Sequence, residues 1–314
     1  MKTGSGARRS PEFPDCLILG AGALGRLWAA HLTPGTVGFV PRNPQQGGNC
    51  EFHLEEALAK PGQVNVSVPW HWPSALHPPR LLLVTTKAYN ARDALAGVVD
   101  HLPLDTPIVL FQNGMGSQDT AAETHPDRPI LAAVTTEGAN RPREGSLIHA
   151  GRGETWVGGI NRAGSAVQEQ VTRSLGRSGL VVHPEPLIRR RMLRKLVVNA
   201  GINPFTAILD CSNGAILGHP FYLDCIDALC DEASVVMANE GQSLPASEWR
   251  GMIEQVARTT AGNTSSMRAD VISGRRTEID FINGWLCARC DELGFPAQVN
   301  RMLVDTVKAL STIE

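Results

Sequence analysis

The first half of the chain carries its hydrophobic residues in short unbroken runs, with helical stretches between them. "CLILG" (16–20), "TVGFV" (36–40), "RLLLVTT" (80–86) and the start of "PIVLFQNG" (107–114) each read as a strand buried on both faces. "ALGRLWAAHL" (23–32) sets Leu24, Leu27, Trp28 and Leu32 on one side of a helix, and a second helix is predicted over 88–101. Alternation of buried runs with helices predicts an α/β domain, a parallel sheet with helices on both faces. From 130 to 160 the pattern breaks into short strands separated by glycines and charges, the mark of a more antiparallel edge. A helix over 164–177 and a strand at 180–184 complete a first domain, 16–185.

"HPEPLIRRR" places two prolines and a basic run at the boundary. Beyond it the spacing is helical almost throughout, so 186–314 is expected to be an all-helical domain, with a cleft between it and the first. The helix begun at 187 is expected to stop at 203, because Pro204 lacks an N–H and disfavours helix before it. Further helices are predicted at about 220–240, 246–260, 278–294 and 296–311.

Composition narrows the classes. The chain has 314 residues, a formal net charge of −2 and 42 % hydrophobic residues, which fits a globular protein and argues against a nucleic-acid binder. No apolar run approaches the ~18–20 residues of a membrane span. Residues 1–15 lack a secretory hydrophobic stretch and read as a flexible leader, its "GSG" and "EF" resembling a vector junction. Seven cysteines without framework spacing point to a reducing, cytoplasmic setting. Cys287 and Cys290 have C-x-x-C spacing but no second ligand pair, so no metal is expected and both are read as helical positions one turn apart, at least partly buried.

Gly20-Ala21-Gly22-Ala23-Leu24-Gly25 fits G-x-G-x-x-G between a strand and a helix. Gly20 permits the turn, Gly22 admits a pyrophosphate close to the backbone, and Gly25 lets the helix pack against the strand. With Ala23 and Leu24 these glycines form the expected cofactor turn, and the helix start offers free N–H groups to phosphate. The domain is therefore of the Rossmann dinucleotide-binding type. The second strand ends in "FVPRN": Arg42 stands where an NAD site usually carries an acid, and a guanidinium suits the 2′-phosphate of NADPH. Lys87 and Asn113 follow successive strands at the carboxyl edge, where such sheets bind ligands.

In the helical half, Lys195, Asn199 and Asn203 are spaced by four and lie along one face. Asparagine is a poor residue for a helix interior, and the neighbouring "LVVNAGIN" is too apolar for a plain wet surface. A lysine–asparagine stripe suits an anionic substrate and the protonation of a carbonyl. Glu278 is placed to pair with Lys195 or to accept from a substrate hydroxyl, or merely to favour a helix start. Ser265 and Ser266 are placed to donate to a carboxylate.

"LGAGALGRLW", "LLLVTTKAY", "QNGMGS", "RKLVVNAGINPFTAI", "CSNGAI", "NTSSMRAD" and "RRTEIDFINGWL", in order from about 16 to 300, together resemble the ketopantoate reductase (2-dehydropantoate 2-reductase) family. The resemblance implies NADPH-dependent reduction of 2-dehydropantoate to (R)-pantoate, a step toward pantothenate and coenzyme A. It implies Lys195 as general acid and Glu278 as a residue needed for substrate binding and turnover. It further implies Asn113, Asn199, Asn203, Asn213, Asn263 and Ser266 on the substrate side, with the turn glycines, Arg42 and Lys87 on the cofactor side. Pro41 before Arg42 departs from the pattern, and the proline- and tryptophan-rich stretch 43–79 matches nothing specific. Two other readings stay open: a related reductase of another 2-keto acid, and a non-catalytic NADP(H)-binding regulator. The late amphipathic helices offer either core faces or a homodimer face.

Overall fold

The computed structural model describes residues 14–56, 63–74 and 76–311; the expected leader lies outside them except for Pro14 and Asp15. The chain forms two compact units. One holds the residues up to Gln112 and Gln118–Ile188, the other Asn113–Ser117 and the residues from Arg189 onward.

The first unit opens with β1 (Cys16–Leu19), α1 (Ala23–His31), β2 (Val37–Phe39), β3 (Asn49–Glu56), β4 (Gln63–Pro69), β5 (Leu81–Val84) and α2 (Ala88–Ala96). It continues through β6 (Ile108–Leu110), α3 (Ser117–Thr124), β7 (Ile130–Thr135), β8 (Gly138–Asn140), β9 (Ser146–Gly151), β10 (Glu154–Gly159), α4 (Arg162–Gly176) and β11 (Val181–Pro184). Seven strands form one sheet in the order β11-β10-β7-β6-β5-β1-β2. Pairing is parallel from β2 to β7; β10 runs antiparallel to β7, and β11 follows β10, so the expected antiparallel edge is this reversed pair.

Both faces of this sheet are covered, as the unbroken apolar runs require. Cys16 and Ile18 point into a cluster with Trp28 of α1 and Leu175 of α4, while Leu17 joins Leu95 of α2 and Ala121 of α3 on the other side. Trp28 is fully buried, and truncating it to alanine would cost about 3–5 kcal/mol.

A second sheet, β4-β3-β9-β8, takes up part of the stretch 43–79 that matched no pattern. In β3, Cys50, Phe52 and Leu54 are buried and alternate with exposed Glu51, His53 and Glu55. These buried side chains join the Trp28 cluster, so the small sheet packs on α1. The helix expected over 88–101 stops at Ala96, and a separate 3-10 turn covers Val99–His101.

The second unit is helical: α5 (Ile188–Ile208), α6 (Pro220–Asn239), α7 (Ala246–Thr259), α8 (Ser266–Ile272), α9 (Asn283–Glu292) and α10 (Gln298–Ser311). Two expectations are corrected. α5 does not stop before Pro204 but continues through it to Ile208. A helical proline leaves the carbonyl four residues earlier without its donor; that carbonyl belongs to Ala200, and the Asn283 side-chain N–H donates to it at 3.2 Å. Glu278 does not lie inside a helix; it stands just before a 3-10 turn over Ile279–Phe281, ahead of α9.

Buried Glu232 accepts from the backbone N–H groups of Val299 (2.8 Å) and Asn300 (3.0 Å), which closes the start of α10. Cys287 and Cys290 are buried, unpaired thiols one turn apart in α9, as the spacing predicted. Among the described residues no helix is long and apolar enough to cross a membrane.

Candidate active site

The first unit supplies the turn between β1 and α1. Gly20 has φ +118°, and a side chain there would press on the Thr86 backbone N at 2.8 Å. A Cβ on Gly25 would overlap the Gly20 carbonyl and meet Thr85 Oγ1 at 2.6 Å. That Thr85 hydroxyl donates to the Gly20 carbonyl at 2.7 Å, so the two glycines and one threonine lock the turn against the end of β5.

Gly22 is different. Among the described residues beyond its own stretch of chain, no atom lies within 4 Å of the Cβ it lacks, so internal packing does not require glycine there. Gly22 is the N-cap of α1, with no side-chain cap and no acidic residue in the first turn. Open space beside unsatisfied N–H groups fits a phosphate that approaches from outside the protein. Ala23 and Leu24 are the first two helical residues beyond it.

Sequence reasoning overlooked Arg26. It is buried; its Nε donates to the Ala21 carbonyl at 3.1 Å, while Nη1 has no hydrogen-bond partner among the described residues. A cation near a helix start opposes the helix dipole, and that mismatch was the available signal for an anion nearby. Arg42 is exposed in the segment after β2. Lys87 is the half-buried N-cap of α2, immediately past β5. The order of the large sheet reverses between β1 and β5, and Gly20, Thr85 and Lys87 all follow the carboxyl ends of that strand pair. Gln112 ties the neighbouring strand ends together, its Nε2 donating to the carbonyls of Val84 (3.0 Å) and Thr86 (2.9 Å).

The second unit holds the remaining candidates. Lys195 and Asn199 are half-buried on α5, and Asn203, one turn on, is buried. Lys195 keeps some surface, but its ammonium is withdrawn from bulk water. Desolvation lowers its pKa from 10.5 to about 8, and the nearby Glu278 carboxylate opposes part of that fall. Glu278 is buried, and Asn113 Nδ2 donates to its Oε2 at 3.4 Å. Asn113 belongs to the short segment that the strand-following loop contributes to this unit. Lys195, Glu278 and Asn113 thus form one connected group.

Asn213 and Asn263 form another. The Asn213 backbone N–H donates to the Asn263 carbonyl (3.0 Å) and its Nδ2 to Thr260 Oγ1 (2.9 Å); Oδ1 is buried without a partner among the described residues. Asn263 itself is exposed. The two serines divide their tasks. Ser265 is buried, caps α8 by accepting from the Arg268 N–H (3.0 Å), and shares a 2.7 Å hydrogen bond with Thr206. Ser266, the first residue of α8, is exposed.

Comparison with known proteins decides the family. Residues 16–162 match the family model described as ketopantoate reductase PanE/ApbA, and residues 187–311 match its C-terminal counterpart. The chain belongs to the ketopantoate reductase PanE/ApbA family. A curated relative from Vibrio cholerae, named 2-dehydropantoate 2-reductase, is 34% identical over 94% of this chain and 97% of its own length. An Archaeoglobus fulgidus protein of the same name is also 34% identical, over the same shares of both chains.

Among solved structures, a PanE/ApbA family ketopantoate reductase from Ralstonia eutropha superposes with a TM-score of 0.78 at 25% identity, covering 94% of this chain and 98% of that one. A ternary complex of D-mandelate dehydrogenase with NADH and anilino(oxo)acetate gives a TM-score of 0.82 at 23% identity, with the same coverage. That likeness concerns the fold. As a PanE/ApbA family member, the chain is of an oxidoreductase family acting on a CH–OH group.

Proposed function

We propose that this protein reduces 2-dehydropantoate to (R)-pantoate with NADPH. The reading is supported most by one pairing: a desolvated Lys195 beside the buried Glu278 carboxylate, in a chain whose family carries that activity in its name. When bound, the dinucleotide supplies the hydride to C2 of the keto acid. The open cradle at Gly22, the uncapped start of α1 and the partnerless Nη1 of Arg26 fit its pyrophosphate. Lys87 lies at the same strand edge, and Arg42 provides charge and a fork of donors for a 2′-phosphate.

Lys195 donates its proton to the carbonyl oxygen as negative charge develops there, which combines general acid catalysis with electrostatic stabilisation. A pKa of about 8 suits this task, because the group is protonated at neutral pH yet gives up its proton readily. Glu278 holds the ammonium charged and is itself oriented by Asn113. Asn199, Asn203, Asn213, Asn263 and Ser266 offer amide and hydroxyl groups for the substrate's hydroxyl and carboxylate.

The deciding experiment follows NADPH oxidation with 2-dehydropantoate beside pyruvate, branched 2-keto acids and an aryl 2-keto acid, and repeats the series with NADH. The proposal expects 2-dehydropantoate with NADPH to have the highest kcat/KM. Preference for another acid would make the protein a related reductase. Binding of NADPH with no turnover on any acid would leave only a regulatory role.

A further inference from the structure

The inward face of the small sheet is apolar through Phe52, Leu54 and Leu147, then becomes polar at Glu56 and His149. These two residues are register partners at the end of the parallel β3–β9 pair. His31, the last residue of α1, faces the same point. His31 Nε2 lies 3.5 Å and His149 Nδ1 3.2 Å from Glu56 Oε1, and the three donor atoms lie within 4.8 Å of one another. In a tetrahedral zinc site with bonds of about 2.0–2.1 Å, neighbouring ligand atoms are about 3.3 Å apart. The His31–Glu56 and His149–Glu56 edges bracket that value.

The hydrogen-bond partners fix which nitrogen is open. Buried Glu137 accepts at Oε2 from the Gly153 N–H (2.9 Å), and the same oxygen lies 2.7 Å from His149 Nε2. A carboxylate only accepts, so His149 Nε2 carries a proton. The other nitrogen, Nδ1, faces Glu56 Oε1 at 3.2 Å, and the second oxygen of that carboxylate, Oε2, accepts from Arg152 Nη2 at 3.4 Å. His31 Nε2, shielded from solvent and without a hydrogen-bond partner among the described residues, faces the same Oε1 at 3.5 Å. A metal ion engages all three atoms at once. The Glu137–His149 contact then becomes the carboxylate–histidine support that orients metal-binding imidazoles.

We propose that His31, Glu56 and His149 form a binding site for a zinc-class divalent ion, with water as fourth ligand and Glu137 as positioning residue for His149. The site lies within the first unit and joins the end of α1 to the small sheet. It stands independently of the reaction proposed above.

The test uses the full chain, free of any histidine tag, stripped with chelator and titrated with zinc alone by calorimetry. Cobalt(II) absorption serves as the geometric readout. We expect one zinc per chain, the intense visible bands of tetrahedral cobalt, and a higher melting temperature with zinc. His31→Ala, at a half-buried helix end, should bind zinc at least about tenfold more weakly and lose the zinc-dependent rise in melting temperature. Glu137→Gln should weaken binding about 10–100-fold. If the wild-type chain retains no zinc, the cluster is a proton-held network and the proposal is overturned. Zinc binding of equal strength in wild type, His31→Ala and Glu56→Gln would mean capture by cysteines, and would overturn it equally.

Discussion

Asn283 donates its side-chain amide to the Ala200 carbonyl, the acceptor that Pro204 leaves without a backbone donor. The same nitrogen donates to Asn300 Oδ1 at 2.9 Å, and Asn300 Nδ2 donates to Glu232 Oε2 at 2.7 Å. A helix that should break is carried through its proline by a buried polar chain reaching from α9 to α10 and α6. Removing the amide strands the Ala200 carbonyl and the Asn300 oxygen, each at about 1–3 kcal/mol. Asn283→Ala should therefore lose about 2–6 kcal/mol in urea denaturation. Adding Pro204→Ala restores the missing N–H, so the double variant should lose less than the sum of the single ones. Strict additivity would disconnect the two residues.

The glycines of the proposed nucleotide turn should separate by readout. Gly22→Ala meets no atom within 4 Å among the described residues beyond its own stretch of chain and should shift stability by less than about 0.5 kcal/mol. It should nonetheless weaken NADPH binding tenfold or more, about 1.4 kcal/mol or above. Gly25→Ala overlaps the Gly20 carbonyl and should cost stability, about 1–3 kcal/mol, before binding is considered. Fluorescence titration with NADPH and thermal melting, run on both variants, distinguish the two roles.

Lys195 should set the pH profile. Its pKa of about 8 lies below the ordinary 10.5, so the ammonium form needed for proton donation is lost as pH rises through about 8. kcat/KM for keto-acid reduction should fall about tenfold per pH unit above that point. Glu278 raises the lysine pKa, so Glu278→Gln should move the break to lower pH as well as slow turnover. The folded state also binds fewer protons than the unfolded state between pH 8 and 10.5. The cost of burying the charge is therefore fully present below pH 8 and fades as pH rises to 10.5. Lys195→Met should lose turnover by orders of magnitude. A variant with unchanged turnover would remove the lysine from the chemistry.

Arg42 tests cofactor choice. Hydrogen bonds to a charged group contribute about 1.5–3 kcal/mol, so Arg42→Ala should raise the NADPH KM about 10–100-fold and leave the NADH KM nearly unchanged. Equal effects on both cofactors would show that the guanidinium does not read the 2′-phosphate.

The main sheet was legible because unbroken apolar runs admit few other solutions, and Cys287 and Cys290 because helical spacing alone explained them. Of the small sheet, "GSLIHAG" reads as a strand and is β9, but β3 and β4 are not expected, although "NCEFHLEE" alternates apolar and polar residues with period two. α5 was cut short because the proline rule is local, while the donor that rescues Ala200 is supplied by a residue 83 positions away. The Lys195 and Glu278 candidates came from chemistry and resemblance. The link from Asn113 to Glu278 spans 165 positions and has no sequence signal short of the fold itself.

Asn113–Ser117 belongs to the helical unit although the chain on either side of it belongs to the other. Gly114, at φ +82°, sits where any Cβ would strike the Phe281 carbonyl, and the next N–H, of Met115, donates to that carbonyl at 2.9 Å. A fragment cut at residue 189 would therefore lack a plug that its own interior expects. Chimeras exchanging the C-terminal half between relatives must carry this pentapeptide with them, or they will inherit a hole beside the acidic residue that the pentapeptide's asparagine orients.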